Sequence, residues 1–250
     1  MVAVGLRLTG KYRILARLWG QPMGQEQQAM TVWKTIVFIA AVMVTVSGPA
    51  RADRHMPTLP MTEVADDGMY AQKWLYKSSL NLQVDLAATR KEGKRLVIFW
   101  EQKVCSNCQP MYEINLRIPR VIEKIKNNFN VIKLDIFGDR KITDLNGTVM
   151  SEEELAGKNG IQWIPTLQFL PESLAEAAGK TGKESEVFRL EGYLKPFHFY
   201  FIFHYVTSKG YESQPSFQRW LSAVGKVFQA KNIPYDLWAD ALPPKMPNGY

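Results

Sequence analysis

Two cysteines, Cys105 and Cys108, are the only ones in 250 residues, and they stand three positions apart in Cys105-Ser106-Asn107-Cys108. A disulfide stabilises mainly by closing a long loop in the unfolded chain. A ring this small does little of that, so the pair is a poor staple. The spacing suits a reversible dithiol/disulfide couple, provided the first sulfur sits where a thiolate is favoured. In that chemistry the Cys105 thiolate attacks a substrate disulfide, a mixed disulfide forms, and Cys108 resolves it. The bland alternative is an inert local disulfide. Metal binding is a second alternative, but a zinc site needs three or four ligands. Only His55, His198 and His204 are available, and six residues on a helix turn His198 and His204 to different faces. No metal and no cofactor is expected.

The elements around the pair are legible from hydrophobic pattern. Arg95 to Trp100 (RLVIFW) is a continuous apolar run, the signature of a strand covered on both faces. Cys105 follows it and is expected to open a long helix reaching about Asn127, kinked at Pro110 and Pro119. At such a helix start, unpaired N–H groups and the helix dipole favour the thiolate. Leu80 to Glu92 precedes the strand as a helix stopped by Gly93. Asn130 to Phe137 is a second core strand. Gly138 to Met150 is a polar connection with a tight turn at Asn146-Gly147, and Ser151 with Glu154 forms a capping box.

Ile164-Pro165-Thr166 leads into a third strand ending at Leu170. Pro171 to Ser185 reads as an exposed hairpin loop, and Glu186 to Leu190 as the return strand. Lys195 to Ser208 is a strongly aromatic helix whose side chains suit a core. Ser216 to Lys231 is amphipathic, with Phe217, Trp220, Leu221, Val224 and Phe228 on one face. Helices between strands imply parallel neighbours; the short link before the last strand implies an antiparallel pair. The fold class is α/β, a mixed central sheet flanked by helices with an extra C-terminal amphipathic helix.

Composition excludes a nucleic-acid partner. Of the net charge of +7, residues 1–52 hold +5, leaving a nearly neutral body without a basic face. Those 52 residues read as an N-terminal extension and signal peptide: Lys34, an uncharged run from Thr35 to Val46, then Ala50-Arg51-Ala52 with cleavage expected after Ala52. The run is short for a membrane span, although an uncleaved anchor is the alternative. Either way the body lies outside the cytosol, most simply in a periplasm. Residues 53–74 read as an irregular mature N-terminus, 75–235 as the folded domain and 236–250 as a disordered Pro-rich tail.

Other candidate residues cluster near the motif. Glu101, the nearest preceding acid, is placed to move protons for Cys108; the alternative is a solvated residue at a strand end. Trp100 and Trp163 flank the site, both by default as packing residues, with Trp163 a candidate border of a substrate groove.

Together the strand 95–100, the C-x-x-C at 105–108, Trp-Ile-Pro-Thr at 163–166 and Glu191-Gly-Tyr-Leu-Lys-Pro-Phe197 resemble the thioredoxin superfamily, and more narrowly exported SoxW-type thioredoxins. The resemblance covers about residues 75–235. It implies a thioredoxin fold and thiol–disulfide oxidoreductase activity. It also implies a cis Pro165 facing the motif and a substrate strand bound at Ile164, Pro165 and Thr166, bordered by Trp163. Relatives of this type reduce protein disulfides with electrons from a membrane thiol transporter. Their clients include a sulfur-oxidation carrier protein or apocytochromes. Three features depart from ordinary cytosolic thioredoxins: Ser106-Asn107 stands in place of Gly-Pro, Val104 in place of tryptophan, and no acid lies within the preceding strand, with only Glu101 close by. A disulfide-forming oxidase and a non-catalytic client-binding module remain rival readings.

Overall fold

The computed structural model describes residues 59–66 and 68–250. The expected signal segment and its cleavage point after Ala52 lie outside the described residues. Helix α1 (Leu82–Lys91) starts where the Asn81 side chain accepts from the amides of Gln83 and Val84. It stops before Gly93, whose φ of +69° suits glycine. Strand β1 (Arg95–Glu101) pairs in parallel with β2 (Phe129–Asp135) and antiparallel with β5 (Thr166–Phe169). β5 pairs antiparallel with β6 (Phe188–Glu191). The sheet order is β2-β1-β5-β6, the mixed sheet expected. One inference about direction is corrected. The helix-between-strands rule holds for β1 and β2 but not for β5, which lies beyond β1 and runs the other way. Its connection is no simple crossover. It contains a hairpin, β3 (Lys141–Thr143) and β4 (Val149–Ser151), and the short helix α4 (Glu152–Lys158), capped by Ser151 and Glu154 as expected.

The chain after the motif also differs from expectation. In place of one kinked helix there are α2 (Gln109–Glu113), a 3₁₀ turn at Asn115–Arg117 and α3 (Pro119–Asn128). Pro110 lies in the first turn of α2, where its missing N–H interrupts nothing, and Pro119 opens α3 for the same reason. The 171–185 loop likewise carries structure, α5 (Leu174–Ala177) and a 3₁₀ turn at Gly182–Ser185, with Ala177 and Ser185 buried.

Both faces of β1 are covered, which is why its sequence is apolar from Leu96 to Trp100. Leu96, Ile98 and Trp100 meet Leu82 and Leu86 of α1, Ile132 and Leu134 of β2 and Leu155 of α4. Val97 and Phe99 point the other way, into a core with Phe129, Leu167 and Phe169 and the aromatic helix α6 (Pro196–Thr207). Phe203 of α6 stands edge-on to Phe129 (5.2 Å) and Phe169 (5.4 Å). A helix apolar on all sides must be covered on all sides. A short helix α7 (Gly210–Ser213) follows, and then α8 (Phe217–Ala230), which buries Phe217, Leu221, Val224 and Phe228. The Pro-rich tail packs on the domain instead of being disordered. Leu242 is buried, Arg120 donates to the Pro243 carbonyl, Lys195 pairs with Asp240, and Tyr250 lies against the rings of Phe201 and His204. Among the described residues no helix is long and apolar enough to cross a membrane.

Candidate active site

Cys105 and Cys108 form a disulfide across a tight turn, with Cα atoms 5.2 Å apart. The Cys108 N–H donates to the Cys105 carbonyl (3.1 Å) and also approaches Cys105 Sγ at 3.1 Å. Cys108 is the residue before α2, so Cys105 does not open the helix as expected; it precedes it by one turn. The feature that favours negative charge on Cys105 is therefore the Cys108 N–H directed at its sulfur. Both cysteines are buried, and Val104 before them is 84% exposed, with a left-handed φ of +53°.

Glu101 requires a correction. It is neither solvated nor outside the strand. It is the last residue of β1, opposite Asp135 in the parallel register, and is fully buried. Its carbonyl accepts from the Ile136 N–H (2.9 Å), which extends the ladder past the apolar run. Alternation along the strand turns Glu101 to the face of Val97 and Phe99, the same face whose core includes Cys105, Cys108 and Tyr112. A buried acid thus does lie within the strand before the motif.

Its surroundings are specific. The Tyr112 hydroxyl donates to Glu101 Oε1, whereas Oε2 is buried without a hydrogen-bond partner. Burial raises the Glu101 carboxyl to about 7, against the opposing pull of the Tyr112 hydrogen bond and the Lys133 charge. Tyr112 is itself pushed well above the usual phenol range, first by burial and then by Glu101. A carboxyl that is half protonated near neutrality, on the face of the cysteines, is suited to hold or release a proton there. Tyr112 sits four residues after Cys108, one helical turn away on the same side; sequence reading missed it, although that spacing is a usable signal.

The second arm of the site is the 163–166 loop. The Ile164–Pro165 peptide is cis. Arg189 of β6 holds the start of this loop by donating to the carbonyls of Asn159 (2.7 Å) and Gly160 (3.1 Å). The Gly192 N–H donates to the Pro165 carbonyl (2.8 Å), tying the loop to the end of β6. An open groove of about 600 Å³ runs between the two arms, with Ser106, Asn107 and Pro110 on one side and Trp163, Ile164 and Tyr193 on the other. Trp163 is 65% exposed on its lip. Pro165 and Thr166 are buried and do not line it. The Thr166 hydroxyl donates to the Trp163 carbonyl (2.6 Å), so its side chain helps to shape the loop.

The remaining candidates lie elsewhere. Trp100 is on the opposite face of β1, its indole N–H donating to Gln168 Oε1 (2.9 Å). His198 and His204 are half-buried on α6. His204 faces Lys124 at 3.1 Å, and burial, aided by that charge, lowers it to about 4. Among the described residues no three His, Cys, Asp or Glu side chains gather as a metal site would require.

No curated protein matches the chain. Among solved structures, a thioredoxin-fold protein from Helicobacter pylori is similar at 17% identity, covering 60% of this chain and 89% of its own, with a TM-score of 0.44. The family model of the thioredoxin-like domain matches residues 82–207, from the first turn of α1 to the last residue of α6 and just over half of the chain. With a β2-β1-β5-β6 sheet and a C-x-x-C turn after β1, the chain belongs to the thioredoxin superfamily, whose general chemistry is thiol–disulfide exchange.

Proposed function

We propose that this protein is an exported thiol–disulfide oxidoreductase that reduces protein disulfides. The observation that carries the reading is the placement of Glu101, a buried carboxyl with one unpartnered oxygen on the same sheet face as the cysteine pair. In the reduced enzyme the Cys105 thiolate attacks a client disulfide; a Cys105–client bond forms and one client sulfur leaves as thiolate. Cys108 then gives its proton to the Glu101 carboxylate and attacks Cys105 Sγ. The second client sulfur leaves, and the enzyme is left with the Cys105–Cys108 disulfide. The groove beside Trp163 and Ile164 takes the extended client segment. Electrons return from a membrane thiol transporter on the periplasmic side, and a sulfur-oxidation carrier protein or an apocytochrome are the client types favoured by the SoxW-type resemblance. The body is secreted by its N-terminal segment.

A disulfide-reduction assay with Cys105→Ser tests this directly. Turnover is expected to vanish, while Cys108→Ser accumulates a mixed disulfide that a thiol reductant releases. Retained exchange in both variants would refute the reading, and client binding without turnover in the wild-type protein would favour a binding module. The potential of the couple decides direction: near about −270 mV it acts as a reductant, near about −120 mV as an oxidant.

A further inference from the structure

Residues 59–66 and 68–74 lie ahead of the family domain at 82–207, yet they contact groups around the cysteine motif at several points. The segment is fastened at its start by two hydrogen bonds, the Leu59 N–H to the Arg117 carbonyl (2.7 Å) and Arg117 Nε to the Leu59 carbonyl (2.7 Å). It doubles back on itself, with Val64 and Tyr70 forming a bridge and the Ala71 N–H donating to the Glu63 carbonyl (2.7 Å). From this folded strap the Gly68 carbonyl accepts the N–H of Val104 (2.9 Å), the residue directly before Cys105. The Tyr70 ring stacks on the Tyr112 ring, centroids 4.4 Å apart and planes 15° from parallel. The Tyr70 carbonyl accepts a hydrogen bond from Lys133 Nζ.

Tyr70 therefore contacts two of the groups that govern Glu101. Its ring covers the phenol that donates to Glu101 Oε1, and its carbonyl fixes the ammonium whose charge acts on the same carboxyl. The other charged groups near this cluster are Glu113, which acts on Tyr70 from the end of α2, and Asp135, opposite Glu101 in the register, whose Oδ1 is occupied by the Phe137 N–H (3.0 Å). Neither takes the place of Tyr112 or Lys133 at Glu101.

We infer that the strap 59–74 is a working part of the redox site, and that Tyr70 is a positioning residue: it holds Tyr112 and Lys133 against Glu101, keeps water from that carboxyl, and so sets how readily the Cys108 proton is accepted. The inference rests on the proton-acceptor role given to Glu101 above. Its central claim, that a residue outside the matched domain controls the ionisation of Glu101, is measurable without turnover.

The test is the carboxyl titration of Glu101 in the full-length oxidised protein, followed by carbon-13 NMR and assigned with Glu101→Gln. In the wild type it is expected near 7. Tyr70→Ala admits water to the Tyr112–Glu101 pair, and because burial is the dominant influence the midpoint should fall by about one unit, a tenfold change in acid constant. Tyr70→Phe keeps the stacked ring and should restore the wild-type value. If Tyr70→Ala does not fold, Tyr70→Leu, whose smaller side chain leaves part of the Tyr112 ring uncovered to water, should shift the midpoint in the same direction by less. The pH midpoint of insulin-disulfide reduction should move with the carboxyl. An unmoved titration in both Tyr70→Ala and Tyr70→Leu would overturn the inference, as would a Tyr70→Phe protein that behaved like Tyr70→Ala. A protein with normal titrations but no thiol exchange would instead refute the proposed function and leave the positioning by Tyr70 standing.

Discussion

Trp100 and Glu101 are neighbours in β1, equally buried and pointing to opposite faces of the sheet, and each places a polar group in the interior. On the Trp100 face the group is an indole N–H, which donates to Gln168 Oε1. On the Glu101 face it is a carboxyl with one oxygen bonded to Tyr112 and the other without a partner. Interiors normally satisfy their polar groups, because an unpaired one costs about 1–3 kcal/mol. Gln168 Nε2, beside Trp100, is likewise without a partner, but Glu101 Oε2 belongs to an ionisable group, and it lies on the face that also holds both cysteines. Both sides of the sheet carry core packing, and the Glu101 side also keeps a carboxyl in an environment where its proton is exchangeable near neutral pH.

This contrast can be broken in three ways. The largest loss should come from the packing of the chemical face: Phe203→Ala removes a fully buried ring set against Phe129 and Phe169, at a cost of about 3–5 kcal/mol in urea unfolding. That loss should be the same at every pH; a pH-dependent loss would mean that packing and ionisation on this face are not separable. Next comes Glu101→Gln. A carboxyl raised from 4.5 to about 7 binds its proton more tightly in the folded state. Its stabilisation is therefore complete below about pH 4.5, falls as pH rises, and is lost above about 7, a span of about 2–4 kcal/mol. His204, lowered from 6.5 to about 4, has the opposite slope, its contribution growing as pH rises over that window. Stability measured from pH 4 to 8 should thus slope upward in Glu101→Gln, where the wild type shows the two trends opposed. A profile unchanged by the substitution would remove Glu101 from the chemistry. The smallest effect should be Trp100→Phe, which leaves Gln168 Oε1 without its donor and costs about 1–3 kcal/mol, independent of pH.

Much of this was legible in the residues. Continuous apolar strands, the capping box of α4, the amphipathic α8 and the C-x-x-C spacing each follow from local pattern, and pattern is what a sequence displays. Glu101 was misplaced because the apolar run ends at Trp100; the strand continues because pairing with Asp135 and the bond from Ile136 extend the ladder, and pairing is not local. The single helix expected after Cys105 failed for a related reason: two prolines in first-turn positions start helices as readily as they kink them. The tail's prolines suggested disorder, but Leu242 and Tyr250 find distant aromatic and apolar partners that no window of neighbouring residues reveals. Tyr70 and Lys133 were invisible for the same reason. Each is tied to the site by one stacked ring or one carbonyl from another part of the chain.

The left-handed backbone at Val104 bears on any attempt to make this protein more heat-tolerant. A branched side chain in that conformation costs about 1–2 kcal/mol relative to glycine, which adopts it freely. The side chain contributes little burial in return, being 84% exposed. Thermal robustness and the shape presented next to Cys105 thus pull against each other at one position. An engineer who selects only for melting temperature will be led to the doorstep of the cysteine pair, and will alter the surface presented there.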